Sequence, residues 1–168
     1  KHFSPGRSGA GHLERCLSDL WTSTTLAADE SDVAGLLREV ARVARKRRFV
    51  VVVSDEPTAG PELTSALRRL RAQHEVLVVV VEGMIATEVR GADGPSVRDV
   101  GVSGGFPGWL RNDAELARQA DELRRSQREQ LDATFERLRV AHCRLAGVDE
   151  TVGALRDLFE RHRRVGRR

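Results

Sequence analysis

Arg48-Phe49-Val50-Val51-Val52-Val53-Ser54-Asp55 is the stretch on which the reading of this chain turns. It is an unbroken apolar run, mostly β-branched, that stops at a serine and an acid. A run this short is below ordinary helix length, and branched side chains pack better on a pleated surface than on a helix. Continuous rather than alternating apolarity predicts a central strand buried on both faces, as in a parallel sheet. An acid directly after such a strand sits at the sheet's carboxyl end, the edge where open α/β sheets bind ligands. Asp55 is therefore the first candidate site residue.

Upstream of the run the period is helical. Val33, Leu36, Leu37, Val40 and Val43 share one side of a helix that Ser31 or Asp29 can cap. Leu13, Leu17, Leu20 and Trp21 give another helix between Gly11 and Trp21. Residues 1–8 and 22–29 read as coil and loop. Downstream, Ser54 to Pro61 is a turn, and Pro61 suits the first turn of a helix carrying Leu63, Leu67 and Leu70. A second buried strand follows at Val76 to Val81, completing a unit with the length of a right-handed βαβ crossover. Residues 83–108 are Gly-rich and predict a loop with a short hairpin at Thr87–Val89 and Val97–Val102. A long helix from Leu110 to Arg139 carries Leu116, Ala120, Leu123, Leu131, Phe135 and Leu138 on one stripe, broken by Gln127. A short strand, His142 to Leu145, and a last helix capped by Asp149 complete the order. Val152, Leu155, Leu158 and Phe159 face inward on that helix. The alternation predicts an α/β fold: a three-layer open, mostly parallel sheet flanked by helices.

A length of 168 residues suits one domain. The net charge is only +3, but nearly all the positive charge is arginine, with Lys only at positions 1 and 46. Most arginines are interleaved with Glu and Asp, which reads as solvated helix faces. Arg45-Lys46-Arg47-Arg48 and the tail from Arg161 to Arg168 are the exceptions. No basic stripe with interleaved aromatics exists and the chain has no Tyr, so no nucleic-acid partner is expected. No apolar run approaches the ~20 residues that span a bilayer. Cys16 and Cys143 stand outside any CxxC or Cys/His cluster, which predicts free thiols in a reducing compartment. His12, His74 and His142 share no metal-ligand spacing. His74 and His142 precede strands and read as structural.

The run and its sequel, Val50 to Asp55 followed by Glu56-Pro57-Thr58-Ala59-Gly60, resemble the Walker B and D-loop region of ABC-type ATPases. There an apolar strand ends in Asp-Glu and the Glu polarises the attacking water. Three features oppose that reading. Ser54 separates strand from acid, no P-loop with Lys and Ser/Thr exists, and the only Ser-Gly-Gly, Ser103-Gly104-Gly105, follows the strand instead of preceding it.

A second resemblance covers nearly the whole chain. Arg48 to Asp55 resembles the fourth strand and terminal Asp of a von Willebrand factor A domain. Ala28-Asp29-Glu30-Ser31-Asp32-Val33-Ala34-Gly35-Leu36-Leu37 resembles that family's Gly-Gly-Thr-Asp-Leu segment, with Ser31 in place of Thr and without the Gly-Gly. Arg68-Arg69-Leu70-Arg71-Ala72-Gln73-His74-Glu75-Val76 is similar to one branch, a bacterial family of unknown function encoded beside MoxR-type AAA+ ATPases. That branch also ends in a long charged helix, a short strand containing His and a last helix. The resemblance implies a Mg site with Asp55 and Ser31 as ligands, and Glu56 and Asp32 as supporting or partner-contacting groups. Its Asp-x-Ser-x-Ser loop would lie before Lys1, so residues 1–168 read as a single partial domain lacking its first strands. The neighbour of Val50–Val53 is then expected from another segment or chain, since a bare valine edge invites aggregation.

The expected function is a metal-dependent interaction module, not an enzyme. Its implied partner is a MoxR-type AAA+ ATPase or another protein offering a ligating carboxylate. The resemblance also implies a cytoplasmic domain, with a membrane anchor to the inner membrane outside this chain. The competing functions are a nucleotide-dependent enzyme using Asp55-Glu56 and an Arg-rich nucleic-acid-binding domain.

Overall fold

The computed structural model describes residues 8–23, 32–83 and 114–165. The elements are α1 (Ala10–Ser23), α2 (Val33–Val43), β1 (Phe49–Ser54), α3 (Pro61–Gln73), β2 (Glu75–Val81), α4 (Ala114–Arg137), β3 (Ala141–Leu145) and α5 (Thr151–Val165). The strands form one parallel sheet in the order β1-β2-β3. Helices cover both faces, so the fold is the three-layer open α/β arrangement expected. Ser31, the segment expected to form a hairpin, and the start of the long helix at Leu110 lie outside the described residues.

Alternation along β2 builds two cores. Val76, Val78 and Val80 face Leu37 of α2, Leu67 and Leu70 of α3, and Phe135 of α4. Leu77 and Val79 face the other way, against Cys143 and Leu158 of α5. β2 is therefore the strand buried on both faces. β1 is not, contrary to the expectation from its valines. Val52 is buried at 9% exposure, while Val51 and Val53 are 43% and 63% exposed. The reason is position: β1 is the edge of the three strands, and α5 reaches it only at Phe49, whose ring stacks on Phe159 at 6.0 Å. No strand pairs with the outer edge of β1 among the described residues. The segment or chain expected to cover Val50–Val53 lies outside the described residues. Short length and the charged run Arg45–Arg48 at its start are what blunt this edge.

Local chemistry explains the helix ends. Asp32, rather than Ser31 or Asp29, caps α2, and its carboxylate accepts from the Gly35 N–H at 2.6 Å. A side chain at Gly35 would collide with that carboxylate, so glycine is what lets the cap close. Pro61 opens α3 where a missing N–H costs nothing. His74 closes it, donating its N–H to the Leu70 carbonyl at 2.9 Å. The buried His74 ring then accepts the Arg48 N–H at 3.2 Å, tying the starts of β1 and β2 together. That is the structural role expected of it. His142 lies inside β3 rather than before it, with its ring against Phe135. The last helix begins at Thr151, two residues after Asp149, so Glu150 holds the flanking position expected of Asp149.

Just past the end of α4 stands a residue of positive φ, Arg139 at 51°, and the next N–H, of Val140, returns to the Phe135 carbonyl at 2.8 Å. Glycine normally fills that left-handed position, and another residue there costs about 1 kcal/mol. The stripe expected along α4 holds only in its second half. Leu131, Phe135 and Leu138 are buried, but Leu116 and Leu123 are exposed. Length is the cause. The helix of 24 residues spans ~36 Å at 1.5 Å per residue, whereas the strands beneath span ~23 Å or less. α1 likewise buries none of its residues. No helix among the described residues is long and apolar enough to cross a membrane.

Leu70→Ala, at the centre of the larger core, is expected to lower stability by about 2–5 kcal/mol in urea unfolding. Val53→Thr, on the uncovered face of β1, is expected to stay within about 0.5 kcal/mol of wild type. Equal effects would contradict the assignment of β1 as a half-covered edge.

Candidate functional site

All three parallel strands end at one edge, and acidic residues collect there. Asp55 and Glu56 follow β1, Glu82 follows β2, and Arg144 comes from within β3. α4 passes over this edge and contributes Arg128 and Asp132.

The two adjacent acids have different surroundings. Asp55 is exposed, and its carboxylate accepts the Ser54 hydroxyl at 3.0 Å. Glu56 is held. Its Oε1 lies 2.7 Å from Arg144 Nη1 and 2.7 Å from Arg128 Nε. The Arg144 contact is a hydrogen bond. The Arg128 Nε–H is buried and does not point at the oxygen, so that contact is ionic only. Arg144 also donates to Asp132 at 2.8 Å, and Arg128 reaches Glu82 at 3.4 Å. His142 Nε2 lies 3.5 Å from Asp132. Three carboxylates and two guanidiniums thus form a half-buried network, with one negative charge in excess, that joins the ends of β1 and β2 to β3 and α4.

Of the residues singled out in the sequence, the structure brings Asp55 and Glu56 to this edge. Asp32 is committed to the α2 cap and makes no hydrogen bond or ion pair with Asp55. No group of three or more His, Cys, Asp or Glu among the described residues is arranged to hold a metal ion. A hard cation such as Mg takes six oxygens, and Asp55 is the one carboxylate at the end of β1 not engaged by an arginine. The described residues therefore do not by themselves make a Mg site. Arg128, Asp132 and Arg144 escape the sequence reading. The available signal is Arg144, a charge in the middle of a short strand.

Beside the network, Asp132, His142, Cys143, Arg144, Asp157 and Arg161 border an open hollow of about 640 Å³. Burial pushes the Cys143 thiol above its ordinary range, and the Arg161 charge opposes this more weakly. No disulfide joins Cys16 and Cys143.

The family model described as protein of unknown function DUF58 matches residues 1–95. No curated protein and no solved structure matches the chain.

Two outcomes are expected here. Glu56→Gln removes the carboxylate that bridges Arg128 and Arg144, leaving each with one carboxylate, and is expected to destabilise the fold by about 1–2 kcal/mol. Asp55→Asn should change stability by less than about 0.5 kcal/mol; denaturant midpoints of the two variants would separate the roles. With its ionisation raised by burial, Cys143 stays protonated at about pH 8. Mass spectrometry after timed alkylation should show Cys16 modified well before Cys143.

Proposed function

The chain belongs to the family described as protein of unknown function DUF58, and for it we propose a von Willebrand factor A-like interaction module that engages a MoxR-type AAA+ ATPase. The contact edge in this reading is the carboxyl end of the sheet, with Asp55 at its centre. One observation carries it: among the described residues Asp55 is exposed and pairs with no cation, while the other acids at this edge, Glu56, Glu82 and Asp132, are tied to arginines. An exposed carboxylate at that edge is a group available to something outside the chain.

Mg is the cofactor of this reading. Asp55 would hold it together with the Ser31 hydroxyl, and a partner carboxylate would complete the shell. Bound there, the ion supplies a charged bridge between two acidic groups and needs no catalytic base. The domain in this reading works in the cytoplasm, tethered to the inner membrane by segments outside this chain. The competing nucleotide-dependent enzyme needs Glu56 to orient a water. Its Oε1 already faces Arg128 and Arg144, which argues against that role.

Binding of the intact protein to a MoxR-type ATPase is the test, measured by calorimetry while Mg is titrated. Mg-dependent association lost in Asp55→Ala is expected. An identical response in wild type and Asp55→Ala would remove the proposal, and nucleotide hydrolysis abolished by Glu56→Ala would favour the enzyme instead.

A further inference from the structure

The opposite edge of the sheet, where the strands begin, has a different charge pattern. Arg68 and Arg71 of α3, Arg137 in the last turn of α4 and Arg139 just past it line one hollow of about 350 Å³, together with Leu138. No Asp or Glu among the described residues lines it. None of the four arginines makes an ion pair or side-chain hydrogen bond with another described residue. By contrast, Arg42, Arg118, Arg128 and Arg144 each sit on a carboxylate.

Helix ends account for part of this. Arg71 and Arg137 lie in last turns, where a cation complements the helix dipole. That does not explain Arg68, inside α3, or Arg139, beyond α4. Arg139 stands in the left-handed conformation that glycine adopts freely. The fold by itself favours glycine there, so the guanidinium is present at a conformational cost.

A second hollow of about 700 Å³ shares Arg68 and Arg137 with the first. It rises between α3 and α4 past Thr64, Gln130 and Thr134 to Gly60, at the start of α3, where no side chain caps the helix. Its walls mix small side chains with the polar groups of Thr64, Ser65, Gln130 and Thr134. No aromatic residue lines either hollow, so there is no platform on which a nucleobase would stack.

We propose that the arginine hollow binds a phosphate group carrying about two negative charges. Guanidinium forks match phosphate oxygens two at a time, and such a group can engage several forks at once. A single carboxylate would leave most of the four charges uncompensated. The adjoining groove accommodates the remainder of a phosphorylated molecule. The ligand is either a soluble phosphate compound or the headgroup of an acidic phospholipid, since both present the same oxygens. This site is independent of Asp55 and lies at the other end of the sheet.

The test uses the intact protein at low ionic strength. Sodium pyrophosphate is titrated by calorimetry, and co-sedimentation is measured with phosphatidylcholine vesicles containing or lacking phosphatidic acid. Arg68→Gln and Arg139→Gly are each expected to weaken binding about tenfold or more, while the paired Arg118→Gln binds as wild type. Arg139→Gly should also raise Tm, because it relieves the left-handed backbone. A more stable variant that binds worse would show that the arginine serves a ligand rather than the fold. Pyrophosphate binding assigns a soluble ligand; binding to phosphatidic acid vesicles alone assigns a headgroup. Neither probe binding, binding unchanged in both variants, or equally tight binding of a polyglutamate peptide would overturn the proposal.

Discussion

Burial of β2 on both faces is the constraint on which the rest of this molecule depends. Every residue from Val76 to Val80 is buried, and β2 is hydrogen-bonded in parallel to β1 on one side and β3 on the other. Parallel neighbours cannot be joined by tight turns, so each connection must return over a face of the sheet. That requirement brings α3 and α4 over one face, where α2 packs with them, while α5 covers the other. It also sends all three strand ends to the same edge. The meeting of Glu56, Glu82 and Arg144 is thus a consequence of strand direction, not of their nearness in sequence.

Much of this was legible. The valine run, the Leu63-Leu67-Leu70 period with Pro61 ahead of it, and the second apolar run were enough to give the parallel α/β sheet. The failures have physical causes. A run of valines records that a strand can be buried but not which neighbours cover it, so β1 and β2 look alike in sequence although one is an edge. Helical periodicity identifies the apolar face of α4 but not where the sheet beneath it stops, which left Leu116 and Leu123 assigned inward. At the site, Asp55 was visible because a strand end is a local feature. The Arg144–Glu56 bond joins residues 88 apart, and no local pattern encodes such a pair.

The adjacent acids also show how little a dipeptide determines. Side chains alternate in direction as the chain leaves a strand, so two neighbours can meet opposite environments. Asp55 meets solvent, while Glu56 meets the guanidiniums beneath α4. The letters match those of a nucleotide-hydrolysing motif, yet the second acid acts as an anchor between strands. An ion pair at this depth contributes less to net stability than to fixing which partner strand end and helix meet.

The overhang of α4 divides one continuous helix into two regimes. From Leu131 onward its backbone hydrogen bonds are shielded by the sheet and share the cooperativity of the whole fold. Toward Ala114 the helix carries surface pairs of its own: Arg118 bridges Glu115 and Glu122, and Arg124 reaches Asp121. Exposed pairs of this kind each contribute only a few tenths of a kcal/mol to a helix. Amides in this half should therefore be less protected from exchange than those packed on the sheet, in a gradient along the axis. Salt, which screens the pairs, would shorten the protected portion without moving the global melting transition.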